Sequence, residues 1–164
     1  MTIDEFNALD GDGATALVLT AAAVPTWASA VVARRPYPDV AALLAAADSL
    51  AEHWAQPEVD AALADHPRIG ERPHGSGAAA DHSRREQAAV GTAPDTVRER
   101  VATGNRAYEE RFGRIFLIRA AGRSPREILN ELERRLTNDP ATEVAEVADQ
   151  LREITRLRLA GAFA

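Results

Sequence analysis

The feature that most constrains the fold is how little of the sequence can form a strand. Ile115-Phe116-Leu117-Ile118 is the only compact β-like run in a chain of 164 residues. One isolated strand cannot build a sheet, because its backbone N–H and C=O groups need a partner strand. We therefore expect residues 115–118 to be a buried extended connector. The abundance of alanine in the rest of the chain favours helix.

Capping signals and apolar spacing mark where helices should lie. Three pairs of residues have the spacing of a capping box: Thr2 and Glu5, Ser83 and Glu86, and Ser124 and Glu127. Near the end of the chain, five apolar residues recur at helical spacing: Val144, Val147, Leu151, Ile154 and Leu157. These patterns predict an all-α fold, a single compact domain over residues 1–164 with about seven to nine helices.

Composition excludes several classes of function. A formal net charge of −6 argues against a nucleic-acid partner, since phosphate backbones require clustered Lys and Arg. The chain has no Cys, which excludes disulfides, thiolate metal sites and thiol nucleophiles. No apolar run approaches the roughly 20 residues that span a bilayer, and the first residues are acidic, unlike a signal peptide. We expect a cytoplasmic protein with no membrane partner.

His66 is a candidate for acid/base chemistry, because it lies where a helical pattern meets a turn containing Pro67 and Gly70. An unperturbed imidazole titrates near neutrality, and the following proline holds the backbone of His66 extended. The alternative is a histidine that bonds the last carbonyls of a helix. Spacing alone leaves both interpretations open.

Glu86 and Gln87 stand at the predicted start of a helix, where backbone N–H groups are available. Such a site can hold a substrate carboxylate or carbonyl. The alternative is structural, since Glu86 at this position can simply complete the capping box of Ser83.

Two polar residues fall on apolar helix faces. Arg158 follows Ile154 by one helical step, and a guanidinium on the core side needs an anionic partner. The alternative is a packed stem whose charged head reaches water. Asn105 lies between Val101 and Tyr108, and we favour a structural bond from its amide to a loop backbone.

The histidines also suggest a metal site, which would use His66, His74 and His82 with Asp81. Their even spacing matches no recognised ligand pattern, and the sequence between them is rich in glycine. We therefore expect no bound metal.

Several motifs occur in order along nearly the whole chain. They are His66-Pro67-Arg68-Ile69-Gly70, Ser83-x-x-Glu86-Gln87, Asn105-x-x-Tyr108-x-x-Arg111-Phe112-Gly113-x-x-Phe116, Arg134-x-Leu136-x-Asn138-x-x-x-x-Glu143 and Ile154-x-x-Leu157-Arg158-Leu159. This set resembles the 2-oxo-4-hydroxy-4-carboxy-5-ureidoimidazoline (OHCU) decarboxylase family of purine breakdown. The pairing of the first two motifs is its most specific part.

The resemblance implies an all-α enzyme that uses no cofactor and removes CO2 from OHCU to give (S)-allantoin. It implies that His66 and Glu86 are catalytic. It further implies substrate contacts from Pro67, Ser83, Gln87, Phe116, Leu117, Ile118 and Arg158. Members of the family are often dimers, so we expect a homodimer. A helical protein-interaction domain without catalysis and a metal hydrolase based on histidine are the alternatives from other classes of function.

Overall fold

A computed structural model describes residues 1–64, 66–70 and 93–164 of the chain. Within these ranges the secondary structure is eight helices, with no strand. The helices are α1 (Ile3–Ala8), α2 (Gly11–Leu19), α3 (Pro25–Ala33), α4 (Val40–Ala51), α5 (Gln56–Ala64), α6 (Asp95–Phe112), α7 (Pro125–Arg135) and α8 (Pro140–Gly161). The predicted all-α class is confirmed.

The capping signals explain where two of these helices begin. Thr2 and Glu5 form both bonds of a capping box at the start of α1. Ser124 and Glu127 do the same at the start of α7, with Pro125 at its first position. The third predicted box, at Ser83, lies outside the described residues.

Residues 115–118 have no regular secondary structure. Phe116, Leu117 and Ile118 are nevertheless buried, at 1%, 5% and 5% exposure. The predicted buried connector is therefore confirmed, and it runs between α6 and α7 through apolar surroundings.

Contacts group the chain into two compact units. One comprises Met1–Asp65 with Arg152–Ala164, and the other comprises His66–Leu151. Helix α8 contributes to both, because its residues up to Leu151 belong to the second unit and those from Arg152 to the first. The single domain over residues 1–164 stays a prediction.

In the first unit, α3 packs against α2 and α4. Trp27 of α3 donates its indole N–H to the carbonyl of Ala47 at 2.9 Å. The same indole meets Trp54 edge-on, with ring centroids 5.7 Å apart. Phe6, which is fully buried, meets Phe163 in the same edge-on manner at 5.7 Å. These aromatic contacts form part of the unit's core.

In the second unit, α6 packs against α7 around one hydrophobic cluster. Its buried members are Ile69, Val101, Tyr108, Phe116, Ile118, Ala120, Ile128, Leu129 and Leu132. The cluster joins the turn after His66, both helices and the connector 115–118, so one core positions all of these segments.

Helix α6 approaches α7 closely at Gly104. A Cβ atom built on Gly104 would lie 2.6 Å from Cδ2 and 3.0 Å from Cγ of Leu132, a side chain with no exposed surface. We expect Gly104→Ala to lower the free energy of unfolding by about 1–3 kcal/mol, because overpacking outweighs alanine's better helix propensity. Urea denaturation would measure the change.

Gly11→Ala is the matched control, since Gly11 begins α2 and a Cβ atom added there would meet nothing within 4 Å. That variant should be as stable as the wild type or slightly more stable. If the Gly104→Ala protein were as stable as the Gly11→Ala protein, α6 and α7 could move apart to admit the methyl group with no loss in the free energy of unfolding.

The apolar face of α8 differs from the prediction at one residue. Leu157 is 47% exposed, whereas Arg158 is only 5% exposed. The reason is helical rotation. Leu157 lies two three-residue steps from Leu151, about 120° around the helix, whereas Arg158 lies seven residues from Leu151, within about 20° of it. None of the described helices has the length and apolar character needed to cross a lipid bilayer.

Candidate active site

Helix α6 holds the turn that carries His66. Asn105 donates a hydrogen bond from its amide to the carbonyl of Ile69 at 2.9 Å, and its side chain is buried. Arg68 forms a bidentate pair with Glu109, in which Nη2 lies 2.8 Å from Oε2. The structural bond predicted for Asn105 is confirmed. The hydrogen bond from Arg68 holds the pKa of the Glu109 carboxyl below its usual range.

His66 is itself buried, with 8% of its surface exposed, and Pro67 beside it is half-buried. The turn behind it is fixed by two contacts to one helix. An imidazole in such a place has few positions open to it, which suits a group that must meet a reacting atom at hydrogen-bond distance.

The connector 115–118 shares a core with this turn. Ile69, Phe116 and Ile118 belong to the same hydrophobic cluster. The ring of Phe116 meets that of Tyr108 edge-on at 5.3 Å. The second unit therefore brings together two segments that the family resemblance assigns to the site, although some 45 residues separate them in sequence.

Two hydrogen bonds anchor the backbone of the connector, one on either side of Ile118. Arg135 donates from Nη1 to the carbonyl of Leu117 at 2.7 Å, and the backbone N–H of Arg119 donates to Oε1 of Gln150 at 2.8 Å. Between these anchors, neither the N–H nor the C=O of Ile118 bonds any described residue. Because buried backbone groups almost always have partners, the two groups are suited to a bound ligand.

A buried ionic cluster, which was not predicted from the sequence, supports the connector. Arg135 and Glu143 are each 1% exposed and lie 2.5 Å apart between Nη2 and Oε1. Tyr108 donates its hydroxyl to the same carboxylate, and Asn138 donates to the other oxygen at 2.8 Å. Burial, together with the bond to Glu143, raises the pKa of the Tyr108 hydroxyl.

A signal for this cluster exists in the sequence. Arg135 follows Leu132 by three residues on the apolar face of α7, and Glu143 precedes Val147 by four on α8. This is the same signal that singled out Arg158, namely a charged residue in register with a buried stripe.

Arg158 is buried, as its position on the apolar stripe suggested. It belongs to the first unit, whereas His66 and the connector belong to the second. Ser83, Glu86 and Gln87 fall in residues 71–92, outside the described residues. The convergence of His66, Glu86 and Arg158 on one cavity therefore stays a prediction.

Among the described residues, a cavity of about 320 Å³ opens beside the turn, against α6. Arg68, Asn105 and Glu109 line it, but His66 and the connector 115–118 do not. None of its described lining residues is among the predicted site residues.

No group of three or more His, Asp or Glu residues in the described ranges is placed to hold a metal ion. Three members of the alternative metal site, His74, Asp81 and His82, lie outside those ranges.

The sequence matches known families over almost its whole length. The family described as OHCU decarboxylase matches residues 7–160. The uric acid degradation bifunctional protein TTL of Arabidopsis thaliana is 35% identical over 106 residues, which cover 62% of this chain and 32% of that protein. The 2-oxo-4-hydroxy-4-carboxy-5-ureidoimidazoline decarboxylase of Amia calva is 32% identical over 139 residues, covering 82% of this chain and 78% of that one. The chain thus spans about a third of the length of the plant relative.

Solved structures have the same fold. A crystal structure described as OHCU decarboxylase in the presence of (S)-allantoin superposes with a TM-score of 0.72 at 24% identity, covering 87% of this chain and 94% of that one. A crystal structure of (S)-allantoin synthase gives 0.73 at 16% identity, covering 98% of this chain and 54% of the other. At these identities the likeness shows the arrangement of helices.

Proposed function

The chain belongs to the OHCU decarboxylase family, and we propose that it removes CO2 from OHCU to form (S)-allantoin in the breakdown of urate. The structural observation that best supports this proposal is the shared core of the second unit. It joins the turn that carries His66 to the connector whose Ile118 backbone groups have no partner among the described residues. The comparisons do not favour an interaction domain or a metal hydrolase.

The reaction needs a place for the electron pair that remains when the bond to the carboxylate breaks. In OHCU the ring C=N beside the carboxylated carbon accepts this pair, so the substrate supplies the electron sink that a cofactor supplies elsewhere. As the hydroxyl on the decarboxylated carbon loses its proton and becomes the ring carbonyl, a proton must reach the neighbouring, ureido-bearing carbon from one face. The protein's part is to orient the ring, desolvate the carboxylate and deliver that proton. We therefore propose a reaction without a cofactor or a metal.

His66 and Glu86 are the residues that we propose to be catalytic. His66 handles either the proton of the substrate hydroxyl or the reprotonation that creates the S centre. Glu86, with Ser83 and Gln87, grips the N–H groups of the ureido chain and ring. Glu86 then both binds and aligns the reacting ring.

Arg158, Pro67 and the connector complete the proposed site. Arg158 binds a polar or anionic oxygen of the substrate, since a guanidinium pairs well with a carboxylate. Pro67, Phe116, Leu117 and Ile118 form its wall, and the Ile118 N–H, which bonds no described residue, is the proposed backbone donor.

The decisive assay supplies fresh OHCU, made in the cuvette from urate, and follows (S)-allantoin by circular dichroism. We expect the wild-type protein to accelerate the appearance of the optically active product, and EDTA to leave the rate unchanged. An equal rate with and without protein would contradict the proposed reaction. Loss of activity in EDTA would instead support the metal hydrolase, and faster turnover of a related hydantoin would reassign the substrate.

Assembly and location are further parts of the proposal. The resemblance to a family with many dimers supports a homodimer, and the composition of the sequence supports a cytoplasmic location. Sedimentation of the pure protein at the mass of one chain would contradict the dimer.

A further inference from the structure

We infer that Arg135 is a positioning residue for the proposed reaction. Its side chain fixes the peptide between Leu117 and Ile118 so that the Ile118 N–H faces the substrate. The inference rests on the proposed function and extends it to a residue that does not itself touch the substrate. Three features support it: the geometry of the peptide between its two anchors, the backbone groups of Ile118 that bond no described residue, and the buried ionic cluster that holds Arg135.

The first feature is the geometry of the peptide. In a planar trans peptide the C=O and the following N–H point in opposite directions. Arg135 holds the Leu117 carbonyl at 2.7 Å, so the N–H of Ile118 must point away from Arg135. Gln150 holds the N–H of Arg119 at 2.8 Å, so the carbonyl of Ile118 must point away from Gln150. The N–H and the C=O of Ile118 therefore each point away from the side chain that anchors the neighbouring peptide group.

The second feature is that neither group of Ile118 bonds any described residue, although Ile118 is only 5% exposed. A buried donor and a buried acceptor on the same residue match a ligand that also offers both, as the amide-like N–H and C=O groups of a ureido substrate do. The hydrogen bonds from the connector to the substrate then come from its backbone.

The third feature is the rigidity of the anchor. Arg135 uses Nε and Nη2 on Glu143, at 2.9 Å and 2.5 Å, and its guanidinium lies 4.8 Å from the centre of the Phe116 ring. A guanidinium buried this deeply cannot leave its carboxylate without becoming an unpaired buried charge. Arg135 therefore has one position, and the peptide that it holds has one orientation.

The test is the double variant Arg135→Met with Glu143→Gln. It removes both buried charges, while the new amide carbonyl still accepts the Tyr108 hydroxyl, so the fold should persist. We expect a cooperative thermal transition, faster amide hydrogen exchange at Ile118, and a decrease in kcat of about 100-fold from misalignment, with a smaller change in KM. Arg134→Met is the matched control, because Arg134 is the neighbouring residue and is exposed.

Arg135→Lys provides a second variant in case the double variant does not fold. Lysine keeps a positive charge beside Glu143, but its single ammonium cannot reproduce the fork that serves Glu143 and Leu117 together. It should therefore fold and also lose kcat.

Wild-type kcat in a folded variant that lacks the Leu117 anchor would overturn the inference, as would unchanged exchange at Ile118. A wild-type protein that does not turn over OHCU would instead refute the proposed function, and the exchange measurement would then still decide whether Arg135 fixes the connector.

Discussion

Replacing His66 with alanine should lower the rate of enzymatic (S)-allantoin formation by about two to four orders of magnitude, the usual contribution of a positioned acid or base. The reason is that the proposed reaction needs a proton moved at one place on the substrate, and water is not held in position there as an imidazole would be. The assay is the circular dichroism measurement on OHCU made from urate. Helix content should be unchanged, because His66 lies outside the described helices.

The controls separate chemistry from packing. His66→Gln retains most of the side-chain volume at this buried position, so it should lose activity as Ala does if the imidazole is catalytic. His53→Ala changes an exposed histidine whose ring bonds the carbonyl of Ser49, and it should have the wild-type rate. Activity retained in both His66 variants would remove this residue from the mechanism. Activity retained in His66→Gln alone would assign it a packing role.

The single substitution Arg135→Met should destabilise the protein by about 3–5 kcal/mol, since it leaves Glu143 as an uncompensated charge in the core. A loss of this size is a large part of the stability of a typical domain. Adding Glu143→Gln to the same protein should recover most of the loss, because the buried charge is then gone. Guanidinium chloride denaturation of the single and double variants would measure both values.

Arg134 again offers the comparison. Arg134 pairs with Glu131 and Glu146, but its side chain is 47% exposed. Surface pairs of this kind contribute at most about 1 kcal/mol, so Arg134→Met should have a small effect. If Arg135→Met proved equally mild, the ionic cluster would contribute nothing to stability. If the double variant were no better than the single one, the cost would arise from the lost bond to Leu117 and not from the orphaned charge.

Local features of the fold were predictable from the sequence where short-range chemistry determines them. Two capping boxes place the starts of α1 and α7, since a hydroxyl and a carboxylate three residues apart can satisfy the first N–H groups of a helix. The connector was predictable because residues 115–118 have no second strand with which to pair. Leu157 was wrongly placed, because an apolar residue was counted in a stripe from which helical rotation removes it.

The candidate site was predictable only in part. Asn105 was correctly expected to bond a loop backbone, since its register on α6 made burial the natural outcome. Two further facts could not be predicted: that this loop is the turn after His66, and that the connector shares its core. Both depend on contacts between segments far apart in the chain. No short-range pattern encodes such contacts. Arg135 was missed although its register resembles that of Arg158, because it falls between the motif residues on which the family resemblance rests.

The order in which the chain is synthesised has a consequence for the first compact unit. Phe163 covers one side of the ring of Phe6, yet it leaves the ribosome more than 150 residues later. Residues 66–151, which form the second unit, have all emerged before that contact can be made. The side of the Phe6 ring that Phe163 covers therefore stays exposed until translation has passed residue 163, and transiently exposed apolar surface of this kind favours aggregation.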